Sequence, residues 1–143
     1  MSFFKDDIRE VRAFLFDVDG VLSEDVSPLD GEGNPVRTAN VKDGYAIRRA
    51  LAAGFAVGII TGGTQQRVRL RYEKLGVPHF YDNAPEKNGC LDDFIRASGI
   101  EAHQILYMGD DLPDLQVMTR VGLPTCTDDA VPEIKALARY LSD

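Results

Sequence analysis

The strongest constraint on this chain is an alternation. Short apolar runs stop abruptly at Asp, Gly or Thr, and each is followed by a stretch whose apolar residues recur at helical spacing. Residues 11–16 (Val-Arg-Ala-Phe-Leu-Phe) end at Asp17-Val18-Asp19-Gly20, residues 56–60 at Thr61-Gly62-Gly63, and residues 104–108 at Gly109-Asp110-Asp111. Further strands are expected over 79–81, 122–126 and 139–141. Helices are expected over 44–53, from a Thr64 cap to Leu75, and over 86–98, 113–120 and 131–138, with Gly54, Gly76 and Gly99 as stops. Strands and helices alternating at intervals of about 20–25 residues require a parallel sheet covered on both faces. No repeat or linker interrupts the pattern, so residues 1–143 read as one domain.

The 23–40 stretch departs from the alternation. It is rich in Ser, Pro, Gly, Asp and Asn, and Asp30-Gly31-Glu32-Gly33-Asn34 is a hairpin-turn signal between short apolar bits. Val26, Leu29 and Val36 would be isolated apolar groups there, which points to an assembly contact.

Charge narrows the partners. Sixteen Lys+Arg against 23 Asp+Glu leave a net charge of −7, a field that repels nucleic acid and anionic membrane. No apolar stretch approaches a membrane span, and MSFFKDDIREVR carries acids where a secretory signal has its apolar core. The expected location is cytoplasmic. Cys90 and Cys126 stand outside any CxxC or CxxH pattern and read as buried thiols, while His79 and His103 are isolated. The basic cluster Arg67, Arg69, Arg71 and Lys74 reads first as the wet face of a helix.

In open α/β sheets ligands gather at the carboxyl ends of the strands. Asp17 and Asp19 fall there after the first strand, Thr61 after the second, and Asp110 and Asp111 after the fourth; Lys87 opens the third helix. Any one of these residues suits a solvated turn. Four carboxylates converging on one edge repel one another unless a cation neutralises them. With oxygen ligands only, a hard ion is expected, and Mg²⁺ is favoured.

Phe16-Asp17-Val18-Asp19-Gly20-Val21-Leu22 resembles the first motif, DxDGxL, of the haloacid dehalogenase superfamily of aspartyl-phosphate phosphatases. Thr61-Gly62 resembles the second motif, Lys87 the third, and Gly109-Asp110-Asp111-Leu112-Pro113-Asp114 the fourth, GDDxxD. The resemblance implies a three-layer α/β/α, Rossmann-like parallel sheet. It makes Asp17 the nucleophile and Asp19 the general acid–base, with Thr61, Gly62 and Lys87 on the phosphoryl oxygens. Asp17, the Asp19 backbone carbonyl and Asp110 would hold Mg²⁺, and Asp111 and Asp114 would orient metal waters and Lys87. The segments 22–40 and 63–87 are too short for a cap domain, so the insertion reduces to a β-hairpin.

Within the capless branch, Asn40-Val41-Lys42-Asp43-Gly44-Tyr45-Ala46-Ile47 is similar to the N/H-V-R/K-D-G-x-G-I segment of KDO 8-phosphate phosphatases, and the helix end from Arg69 and Arg71 to Leu75-Gly76 matches as well. That likeness implies a phosphorylated sugar-acid substrate on the route to lipopolysaccharide, with Arg71 contributing to its binding. It also implies a homotetramer packed through the 23–40 hairpin. Alternatives of the same chemistry are a nonulosonate 9-phosphate phosphatase and the phosphatase-like module of a cytidylyltransferase; the non-enzymatic alternative is a retired oligomerisation module. Two departures concern specificity: Gly63 stands where the family often has Arg, and the family's Gly-Gly-x-Gly tail with its following Arg has no counterpart.

Overall fold

A computed structural model describes residues 4–24, 28–84 and 86–142. Six parallel strands form one sheet: β1 (Ala13–Phe16), β2 (Ala56–Ile60), β3 (His79–Tyr81), β4 (Ile105–Gly109), β5 (Leu123–Thr127) and β6 (Tyr140–Ser142). Their order is β3-β2-β1-β4-β5-β6, so the chain leaves β1 in one direction, then returns past it to β4. That reversal opens a crevice at the carboxyl ends of β1, β2 and β4.

Alternation along β1 divides the core between the two faces. Ala13 and Leu15 join Phe94, Tyr107, Met118 and Ile134 on the side covered by α4 (Asn88–Ser98), α5 (Leu115–Arg120) and α6 (Pro132–Leu137). Phe14 and Phe16 pack with Ile47, Val57, Tyr72 and Leu75 under α2 (Val41–Ala52) and α3 (Gln66–Lys74). The result is the expected three-layer α/β/α arrangement. A short helix, α1 (Phe4–Asp7), precedes β1. No helix among the described residues is long and apolar enough to cross a membrane.

Three local expectations change. The second helix begins at Val41 rather than 44, because the Asn40 side chain accepts from the backbone N–H groups of Lys42 (2.8 Å) and Asp43 (3.1 Å). The third begins at Gln66, and Gln65 rather than Thr64 precedes it; the Gln65 amide instead donates to the Pro35 carbonyl, tying that loop to the insertion. Among the described residues, the expected 23–40 hairpin is a tight turn with one antiparallel bridge, Leu29 to Pro35, because a two-stranded ribbon without a packed face gains little from lengthening. Asp30 secures the turn by accepting from the N–H groups of Glu32 and Asn34. Leu29 is 67% exposed and Val36 half-buried, while Val26 lies outside the described residues. Apart from this bridged turn and a single Asp19–Ser23 bridge, the described segments between β1 and α2 and between β2 and α4 hold only α3 and β3.

Candidate active site

Three loops deliver the site. After β1 the chain turns at once, the Val18 carbonyl accepting from the N–H groups of Val21, Leu22 and Ser23. Asp17 is thereby left buried, with its carboxylate taking the Val18 N–H at 2.7 Å. Gly20 is needed at its place: its φ is +80°, and an added Cβ would lie 1.8 Å from an Asp110 oxygen. The Asp110 carboxylate, arriving from the end of β4, folds directly over that glycine.

Lys87 comes from the entry to α4. Glu86 accepts from the N–H groups of Asn88 and Gly89, capping the helix from outside. Lys87 is thus free to turn inward, where only 5% of it remains exposed. Its ammonium lies 3.1 Å from Asp17 and 2.8 Å from Asp114.

Asp114 is fully buried and saturated. One oxygen accepts from Lys87 and from the Tyr107 hydroxyl; the other accepts from the N–H groups of Asp110 (3.1 Å) and Asp111 (3.3 Å). A carboxylate has about four acceptor positions, so these four donors occupy it. Asp17, Asp110 and Asp114 have oxygens within 4.8 Å of one another. Because Asp114 is already committed, Asp17 and Asp110 are the pair that could hold a cation.

Burial is the largest influence on Asp17 and, with repulsion from Asp114, pushes its pKa up to about 8 against the pull of Lys87. Burial also opposes the charged form of Lys87, yet Asp17 and Asp114 outweigh it and hold the ammonium above its ordinary value. Among the described residues, buried Asp17 and Asp114 share the single ammonium of Lys87 with Asp110 beside them, an oxygen-rich cluster that suits a divalent ion with a preference for oxygen. The donor set fits Mg²⁺.

The cleft lined by Asp17, Lys87 and Asp110 has a volume of about 290 Å³, and Asp19, Gly62, Ala84, Asp111 and Pro113 complete its lining. A larger groove of about 580 Å³ between α2 and the β4–β6 half of the sheet contains neither Lys87 nor Asp17. Thr61 is buried beside the cleft and its hydroxyl accepts from the Gly63 N–H at 3.1 Å. Exposed Asp111 caps the short turn that carries Asp114.

The structure places Arg71 elsewhere. It packs between α3 and α2, where a Cβ on Gly44 would come within 2.5 Å of its Nη2. Its neighbour Arg69 is not a freely wet side chain either: it pairs with Asp82 at 2.8 Å and lies over the Phe80 ring.

Two residues escaped the sequence reading. Tyr107 sits two positions before Gly109 in β4, with its ring in the core and its hydroxyl on Asp114; in sequence it is one more apolar strand residue. Arg37 donates Nε to one oxygen of Asp19 at 2.7 Å and Nη2 to the other at 3.0 Å. A signal did exist for it, since Arg37 is the one basic residue between 23 and 40.

Known proteins resemble this chain in sequence and in fold. No family model matches the sequence. The 3-deoxy-D-manno-octulosonate 8-phosphate phosphatase of Escherichia coli K12 is 36% identical over 134 residues, covering 94% of this chain and 71% of that protein. The crystal structure of the phosphatase of that name from Yersinia pestis superposes with a TM-score of 0.90 at 32% identity, covering 95% of this chain and 74% of its own. The Moraxella catarrhalis phosphatase of the same name, crystallised with magnesium, phosphate and KDO, superposes with a TM-score of 0.88 at 28% identity, covering 95% and 78%.

Proposed function

Since the chain belongs to the 3-deoxy-D-manno-octulosonate 8-phosphate phosphatase family, of the haloacid dehalogenase type, we propose that it is a Mg²⁺-dependent phosphomonoesterase that hydrolyses KDO 8-phosphate. The observation that carries the reading is the buried chain Asp17–Lys87–Asp114 at the crevice, with Asp110 folded against it and Asp19 two residues from Asp17.

In this reading an Asp17 oxygen attacks phosphorus, the ester P–O bond breaks, and Asp19 gives a proton to the leaving sugar oxygen. Asp19 then takes a proton from the water that attacks the aspartyl-phosphate, which releases inorganic phosphate and restores Asp17. Lys87 places a fixed positive charge on the phosphoryl oxygens as negative charge builds there. Thr61, whose hydroxyl oxygen already accepts from Gly63, donates its own proton to the same group, with the Gly62 backbone beside it. Asp17, Asp110 and the Asp19 carbonyl would hold Mg²⁺, which supplies charge neutralisation between two anions that must approach. Asp111 would help order water around that ion, and Asp114 keeps Lys87 aimed, with Tyr107 holding Asp114 in turn.

The relatives are named for the octulosonate, which favours the eight-carbon acid over a nine-carbon nonulosonate. The chain acts as one domain without a cap. A homotetramer joined through the 23–40 insertion would shield the open crevice, and Leu29, exposed beside the turn it closes, supports that assembly. The location proposed is the cytoplasm. The deciding experiment is phosphate release from KDO 8-phosphate by the wild type and by Asp17→Asn. Turnover by the wild type and none by the variant is expected, and a variant with most of its activity intact would move the nucleophile elsewhere.

A further inference from the structure

We propose that Arg37 is the residue that selects a substrate bearing a carboxylate in addition to its phosphate, and that the absence of a side chain at Gly63 is what admits it. The inference rests on the phosphatase reading above and names the recognition element of the same site.

Arg37 holds Asp19 side-on, with both carboxylate oxygens engaged. The two partners are unequally placed. The Arg37 side chain is 13% exposed and the Asp19 side chain 45% exposed, so the guanidinium is the fixed fork and the carboxylate is the group facing solvent. A planar guanidinium presents paired donors that match any carboxylate equally well. Asp19 therefore occupies a place that an incoming carboxylate can take over.

Gly63 makes this placement feasible. A Cβ there would lie 2.9 Å from the Arg37 Nη2 and 3.0 Å from its Cζ, so any side chain at 63 would push the guanidinium away. Arg37 fills the volume that a residue at 63 would otherwise use, one position beyond Thr61-Gly62. It reaches that volume from the insertion rather than from the β2 loop.

The location suits a two-headed ligand. On one side Asp19 borders the 290 Å³ cleft that holds Lys87 and Asp17. On the other, Arg37 lines a groove of about 630 Å³ between the 30–36 turn and the start of α3, with Gln65, Gln66 and Arg67 on its far wall. A sugar acid with its phosphate in the cleft has a polar groove for its hydroxyls and a guanidinium at the boundary for its carboxylate.

The test compares kcat/KM for KDO 8-phosphate with kcat/KM for D-arabinose 5-phosphate, which has sugar hydroxyls and a phosphate but no carboxylate. Arg37→Met should lower the ratio of the two about 10–100-fold, the worth of a charge-assisted bidentate contact. Because the acid releases Asp19 from Arg37 and D-arabinose 5-phosphate does not, the effect on Asp19 does not cancel in the ratio, and the fall must appear in kcat/KM for KDO 8-phosphate itself; a ratio lowered only by a rise for D-arabinose 5-phosphate overturns the proposal. Gly63→Ala keeps every charge but displaces the guanidinium, and should lower the ratio in the same direction. A ratio within about threefold of wild type in Arg37→Met, or no movement in Gly63→Ala, overturns the proposal. A wild type that hydrolyses both phosphates without favouring the acid overturns this inference alone. A wild type that hydrolyses neither overturns the phosphatase reading as well.

Discussion

Replacing Lys87 by Met tests the architecture and the chemistry of the site together. Methionine retains the length of the side chain and removes the charge that Asp17 and Asp114 share at 3.1 and 2.8 Å. Removing one partner of a buried pair costs about 3–5 kcal/mol, because the charge left behind is uncompensated. The lower end applies here. Asp114 keeps three of its four donors, from Tyr107 and the N–H groups of Asp110 and Asp111. Asp17, already pushed up to about 8, can relieve its own burial by taking a proton. A loss of about 3 kcal/mol lowers Tm by about 6–12 °C in a domain of this size. Activity should fall by about 10²–10³-fold, as expected for a lost preorganised charge at the phosphoryl group. Thermal melts in chelator read the first effect and phosphate release the second. The double variant Lys87→Met/Asp114→Asn separates the pair from its surroundings: the two losses should fail to add by at least about 1 kcal/mol, since each single change already breaks the same contact. A Tm drop below about 2 °C with activity intact would falsify the assignment of Lys87 as the buried cation of the site.

Asp19→Asn should lose about 10²–10⁴-fold on a sugar phosphate, the typical worth of general acid–base help, and much less on an aryl phosphate whose leaving group needs no proton; equal losses on both would leave the acid role unsupported. Chelation should abolish turnover while leaving the fold in place by circular dichroism, and Mg²⁺ at about a hundred times its Kd should add about 2.7 kcal/mol of stability; an unchanged melt across a Mg²⁺ titration counts against the Asp17–Asp110 pair. His79, packed edge-on to Phe94 at 5.0 Å, has its pKa lowered by burial. The unfolded chain then binds this proton more readily than the folded one, so stability present above about pH 6.5 declines as pH falls below it. His79→Gln should flatten that part of the urea-midpoint profile between pH 7 and 5.5, and an identical slope in both proteins would remove His79 as its source.

The order of strands and helices, the two-faced core and the carboxylates at the strand ends all follow from local sequence. Buried parallel strands must be continuously apolar, and helices must carry one apolar stripe, so both periodicities are written in the chain. Asp17, Asp19, Thr61, Lys87 and Asp110 could be found because the chemistry requires particular residue types immediately after those strands or at a helix start. Gly20 and Gly109 belong to the same local code: a Cβ at either would strike the carboxylate of Asp110 or Asp114.

Beyond the Lys87–Asp114 pair that the resemblance implies, tertiary structure alone decided which partner each charge takes. Asp114 gathers donors from the start of α4, the middle of β4 and the turn beyond it, and no spacing rule joins Lys87 to Tyr107 across that distance. Arg71, on the same helix as other arginines, is directed toward Gly44 of α2, because the crossing of two helices sets its direction. Arg37 meets Asp19 only because the insertion folds back over a glycine that leaves room for it. Secondary structure arises from interactions a few residues apart and can be read in order. Charge pairing in a crevice depends on distances across the sheet, which exist only once the chain has closed.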